Sequence, residues 1–108
     1  MAIHTLDLDV AIYRDRVQVT HRGTDVFVDQ QADYPFSSDS ALIEHLPYLE
    51  HTIARAIGKI LARGGHSLRD PIAHVVRCDG VLRPGDRAAI AKTLQEIGMS
   101  DVIFDLPN

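Results

Sequence analysis

Apolar and polar positions alternate in short runs over the first third of the chain. Val10-Ala11-Ile12-Tyr13 is followed by the polar Arg14-Asp15-Arg16, after which Val17 and Val19 alternate with Gln18 and Thr20. A period of two marks a half-buried strand, and the polar break between the runs marks a hairpin. Arg22-Gly23-Thr24 supplies a second turn, and Asp25-Val26-Phe27-Val28-Asp29 reads as a third strand bounded by polar residues. Three such segments in succession predict an antiparallel meander.

The period then changes. Gln30 to Ser40 is polar, contains Pro35 and sustains no repeat, so it reads as a connector. Pro47 fits the first helical position, where its missing N–H costs nothing. Leu49, Ile53, Ile57, Ile60 and Leu61 recur at helical spacing. They predict an amphipathic helix of about four turns, ending near Arg63-Gly64-Gly65, where glycine permits a left-handed stop. After a loop over His66 to Pro71, Ile72 to Cys78 reads as a strand closed by the Asp79-Gly80 turn. Pro84 opens a second helix with Ala89, Ile90, Leu94 and Ile97 on one face and Gly98 past its end, and Asp101 to Asp105 is the last strand.

The predicted order is β-β-β-α-β-α-β, an α/β fold with a mixed five-stranded sheet in which two crossover strands extend the meander. Leu49, Ile53, Ile57, Ile90 and Leu94 are expected to face that sheet. The strand Asp25 to Asp29 and one other are expected at its edges, where unpaired backbone groups invite self-association.

Composition narrows the class. With 108 residues the chain has the length of one domain, 1–108, and 45% apolar and 24% charged residues place it among globular proteins. A net charge of -4 and a pI of about 5.8 provide no cationic field for phosphate backbones, which disfavours nucleic acid as a partner. Cys78 is the only cysteine and cannot form an internal disulfide, in keeping with a reducing compartment. The start Met1-Ala2-Ile3-His4 has neither the basic residues nor the apolar run of a secretory leader, and no run reaches the ~20 apolar residues of a membrane span. A soluble, cytoplasmic protein is the expectation.

Two stretches carry a family resemblance. Val75-Val76-Arg77-Cys78-Asp79-Gly80, continuing through Arg83-Pro84-Gly85-Asp86-Arg87-Ala88-Ala89-Ile90 to Gly98-Met99-Ser100-Asp101-Val102-Ile103-Phe104, resembles a passage of the bacterial actin-like, rod-shape-determining MreB family. In that passage a hydrophobic strand meets a small-residue turn, then an acidic, arginine- and alanine-rich helix, then a further strand. Val10 to Val19 is similar to that family's first hairpin. The resemblance implies the ribonuclease-H-like or actin-like half-fold, here the central subdomain of the first lobe alone. It also implies a phosphate-binding Asp-x-Gly-Thr turn in the first hairpin, where this chain has the glycine-free Leu6-Asp7-Leu8-Asp9-Val10. Carboxylates repel phosphate and glycine is what lets backbone N–H groups approach it, so no bound nucleotide or other cofactor is expected. The small subdomain inserted after the third strand and the whole second lobe have no counterpart in this sequence.

The remaining chemistry is sparse. Ribonuclease-H-like nucleases converge carboxylates from the first strand, first helix and fourth strand on two Mg²⁺ ions. Asp7 (or Asp9), Glu50 (or Glu44) and Asp79 stand at comparable positions and form the nuclease alternative, a small Mg²⁺-dependent nuclease or phosphotransferase on the same fold. With 15 acidic residues in 108, such a coincidence is easily met by chance. The six histidines, His4, His21, His45, His51, His66 and His74, form no i, i+4 pair, and Cys78 has no second thiol or base beside it in sequence, so no metal site and no catalytic residue are expected. Arg14, Arg16 and Arg22 are interrupted by Asp15 and read as a solvated face. Phe36, Leu42, Ile43, Leu46 and Tyr48 are the interface candidates, an apolar patch at the first helix start that a protein partner would cover. The sequence thus points to a non-enzymatic interaction or structural module whose partner is itself, as a homodimer, or an actin-like filament.

Overall fold

The computed structural model describes residues 4–107. Five strands and two helices follow one another as β1 (His4–Tyr13), β2 (Arg16–His21), β3 (Phe27–Gln31), α1 (Leu46–Leu61), β4 (His66–Cys78), α2 (Asp86–Ile97) and β5 (Asp101–Phe104). They build one sheet of order β3-β2-β1-β4-β5, in which β1, β2 and β3 form the antiparallel meander and β4 and β5 are added parallel.

Alternation sorts the side chains. Leu6, Leu8, Val10 and Ile12 of β1, Val17 and Val19 of β2, and Ala73 and Val75 of β4 are buried on one face with Leu49, Ile53, Ile57 and Ile60 of α1 and Ile90 and Leu94 of α2. These form a single core cluster, so both helices lie on the same side of the sheet. The physical reason is handedness. Crossovers between parallel strands are right-handed, and both of them, β3 to β4 and β4 to β5, step across the sheet in the same direction. Two like-handed steps in one direction place both helices on one face and, among the described residues, leave the other bare.

Several boundaries depart from the sequence reading. The first strand begins at His4, six residues before Val10, because its polar positions Asp7 and Asp9 belong to a paired strand facing out. The third strand is shifted to Phe27–Gln31, with Asp25 held at a φ of 57° in the preceding turn. The expected loop from His66 to Pro71 is the first part of β4: His66 and Ser67 pair with His4 and Thr5, and the ladder then bulges until Ile72 meets Asp7. Helix α2 starts at Asp86 behind Gly85, whose φ of 89° is left-handed and suits glycine.

The largest correction concerns the connector. Phe36, Leu42 and Ile43, expected as an uncovered patch, are buried in the protein's own core. Backbone bonds fold the segment back on itself: Glu44 N and His45 N donate to Phe36 O at 2.7 and 3.0 Å, and Ser38 N donates to Ala41 O at 2.9 Å. Gly80, in the turn after β4, packs against Leu42 so closely that an added Cβ would lie 3.1 Å from the Leu42 Cβ. The connector thus seals the carboxyl end of the core. Of the five interface candidates only Leu46, half-buried, and Tyr48, exposed, retain solvent contact.

Candidate functional site

Among the described residues, no helix covers the second face of the sheet. It has a definite composition because register aligns the outward residues in rows. One row crosses all five strands: Phe27, Thr20, Asp9, His74 and Ile103. A second joins Asp7, Ile72 and Asp101. Phe27 and Ile103, on the two edge strands, are 55% and 41% exposed.

Charge on this face is uneven. On the meander side Arg16 pairs with Asp29 at 2.8 Å, and at the carboxyl end of β4 Arg77 lies 3.8 Å from Asp79, so both regions are locally balanced. At the centre, His74 Nε2 lies 2.7 Å from Asp7 Oδ1 and Arg22 Nε donates to Asp9 Oδ1 at 2.5 Å. The hydrogen bond to Asp9, with the charges of Asp9, Asp7 and Asp105, holds the Arg22 guanidinium above its ordinary pKa. Asp101 and Asp105 lie to either side of Ile103, and no described cation is in ion-pair contact with them.

The nuclease alternative is not brought together. Asp7 projects from the bare face, whereas Glu50 sits on α1, which packs against the opposite face. Asp79 is exposed beyond the end of β4, beside Arg77. Among the described residues no group of three or more His, Cys, Asp or Glu side chains is placed to hold a metal ion.

The stretch Leu6 to Val10 lies inside β1, paired with β2 on one side and β4 on the other, so its backbone is committed to the sheet. The turn between β1 and β2 is Arg14-Asp15, and its polar groups are also engaged. Asp15 N donates to Ser37 Oγ at 3.3 Å, Ser37 N donates to Asp15 Oδ1 at 2.8 Å, and Ala32 N donates to Asp15 O at 2.9 Å. Ser37 therefore lies directly against that turn.

A second opening, about 420 Å³, lies at the carboxyl ends of β4 and β5 and is lined by Arg77, Cys78, Asp79, Gly80, Leu82, Arg87, Leu106 and Pro107. Burial pushes the Cys78 thiol up to about 11, so at neutral pH it is protonated and not a nucleophile. Arg77 and Arg87 lie over the rings of Tyr13 and Phe104.

The histidines have separate places. His21 is buried, its ring bridging Thr24 Oγ1 and the Thr5 carbonyl at 3.0 Å each, and it meets His66 edge to face. His51 lies 3.0 Å from Asp33, and His45 stacks near Tyr48. Arg14, Arg16 and Arg22, grouped in the sequence, are dispersed to Asp39, Asp29 and Asp9. The sequence reading missed Asp101, Ile103 and Asp105 as a unit. The signal was present, since positions i−2, i and i+2 of a strand share a face. No protein-family model matches the chain, and no curated protein matches it. Among the described residues no helix is long and apolar enough to cross a membrane.

Proposed function

We propose that the protein is a non-enzymatic interaction module on an actin-like, ribonuclease-H-like half-fold, and that it takes a protein partner on the bare face of its sheet. One observation carries the reading: the parallel strands β1, β4 and β5 are covered by helices on one face alone. Parallel strands are ordinarily covered on both faces. The uncovered side of β4 and β5 is also where apolar residues, Ile72 and Ile103, stand among the outward positions. Strand order and element order support the half-fold. The resemblance to the MreB family would bring a nucleotide to the first hairpin, but the corresponding stretch Leu6 to Val10 is glycine-free and paired within β1, and at the Arg14-Asp15 turn Asp15 N already donates to Ser37 Oγ.

Thermal unfolding with and without ATP, GTP and Mg²⁺ tests the reading. A native-state ligand present at a hundred times its Kd adds about 2.7 kcal/mol to stability. The expected result is an unchanged midpoint. A reproducible rise with ATP and Mg²⁺ would overturn the non-enzymatic assignment.

A further inference from the structure

We infer that the partner taken on the bare face is a basic polypeptide segment, with arginine or lysine placed beside an apolar side chain. The inference rests on the reading of that face as a docking surface and names the chemistry of its occupant. Four carboxylates, Asp7, Asp9, Asp101 and Asp105, share the central and β5 side of the face. Their described counter-charges are Arg22, already bonded to Asp9, and His74, cationic only when protonated. The outer two carboxylates have no described ion-pair partner, and Ile103 lies between them, 41% exposed. A partner therefore meets a stripe of carboxylate, branched alkyl and carboxylate about 13 Å long, from Asp101 at the start of β5 to Asp105 just past its end, where Asp105 N donates to Val75 O.

That stripe discriminates among occupants by charge. A second copy laid face to face brings like carboxylates toward one another, and juxtaposed like charges cost several kcal/mol and suppress wrong partners. Phosphate backbones and anionic lipid are repelled for the same reason. Acidic residues on a short edge strand also discourage strand addition by another copy. A segment bearing cations on either side of an apolar residue satisfies both carboxylates while its alkyl group covers Ile103.

The test uses the full chain and a fluorescein-labelled octapeptide of alternating arginine and valine, with a glutamate–valine octapeptide as comparator, both read by anisotropy. Affinity for the arginine peptide is expected to fall at least about fivefold between about 50 and about 300 mM salt, as exposed charges are screened. It is also expected to fall at least about fivefold in Asp101→Asn/Asp105→Asn, and to weaken in Ile103→Ser. Asp39→Asn/Glu50→Gln removes the same charge away from the face and should bind within about twofold of the parent, with circular dichroism confirming that all variants fold. Equal loss in that control, failure to bind the arginine peptide, or equal binding of the glutamate peptide would each overturn the inference. So would a two-chain mass in light scattering that Ile103→Ser returns to one chain, since a second copy would then occupy the face. None of these outcomes depends on the nucleotide experiment, so the basic partner can fail while the non-enzymatic reading stands, and the reverse.

Discussion

Asp15 shows how much one turn residue holds. Its φ of 53° lies in the left-handed region, which Asn, Asp and Gly adopt more readily than other residues. Its carboxylate accepts from Ser37 N and its carbonyl from Ala32 N, tying the β1–β2 turn to the connector. Asp15→Ala is expected to lose about 1–3 kcal/mol in denaturant unfolding, through the unsatisfied amide and the backbone conformation together. Asp15→Asn, which keeps an acceptor and tolerates the conformation, should lose less. Cys78 makes a second point. With its thiol pushed up from 9.0 to about 11 by burial, stability linked to it is complete below the unfolded value and is lost as pH rises toward the folded one. Alkylation by iodoacetamide at pH 8 should accordingly be slower in the native protein than in denaturant, and equal rates would show the thiol to be accessible. Asp33 works in the opposite sense. Hydrogen bonds from Arg55 and then His51 hold its carboxylate below its ordinary 3.8, so the linked contribution is present above that value and fades as pH falls through the folded one. Carboxyl-carbon NMR of Arg55→Gln should show the Asp33 titration moving back up.

Among the elements, the connector changed most between sequence and structure. The connector lacks a period because its backbone is irregular, and irregular backbone gives no alternation from which burial can be read. Phe36, Leu42 and Ile43 pack inward, and the folded-back segment closes the carboxyl end of the core. Phe36→Ala should therefore cost about 3–5 kcal/mol, whereas Tyr48→Ala should cost less than about 1 kcal/mol, as for a surface position. Equal costs would mean that the connector is not the seal it is taken to be. Helix α1, by contrast, was legible. Leu49, Ile53, Ile57 and Ile60 are all buried, at the spacing read from the chain, and Ile53→Ala or Leu94→Ala should cost about 2–5 kcal/mol. Strands β1 and β4 both extend further than their apolar runs, because Asp7 and Asp9 face the bare side of a paired strand and the expected loop His66 to Pro71 pairs at its start and bulges before Ile72.

For the whole molecule, the decisive feature is that both crossovers run the same way. That geometry makes a two-layer protein whose second face is closed by nothing it contributes itself among the described residues. Phe27 and Ile103, exposed at opposite edges of that face, add little to folding. Phe27→Ser and Ile103→Ser should each change stability by less than about 0.5 kcal/mol. A larger loss in either would make the face part of the structural core and remove the ground for docking there.

Local periodicity was enough to determine which faces of the two helices enter the core and that two helices alternate with strands in the second half, from which a mixed sheet follows. Each of these depends on the period of a short segment, and period is a property of neighbouring residues in the chain. Tertiary structure alone decided that Asp7 meets His74, that Ser37 closes the first turn, and that Ile103, with Asp101 two residues before it, ends the row that begins at Phe27. The first of those relations joins residues 67 positions apart in the chain. They exist only once β1 pairs with β4 and both helices have settled on one side, because the face a strand turns to solvent is set by what covers its other face.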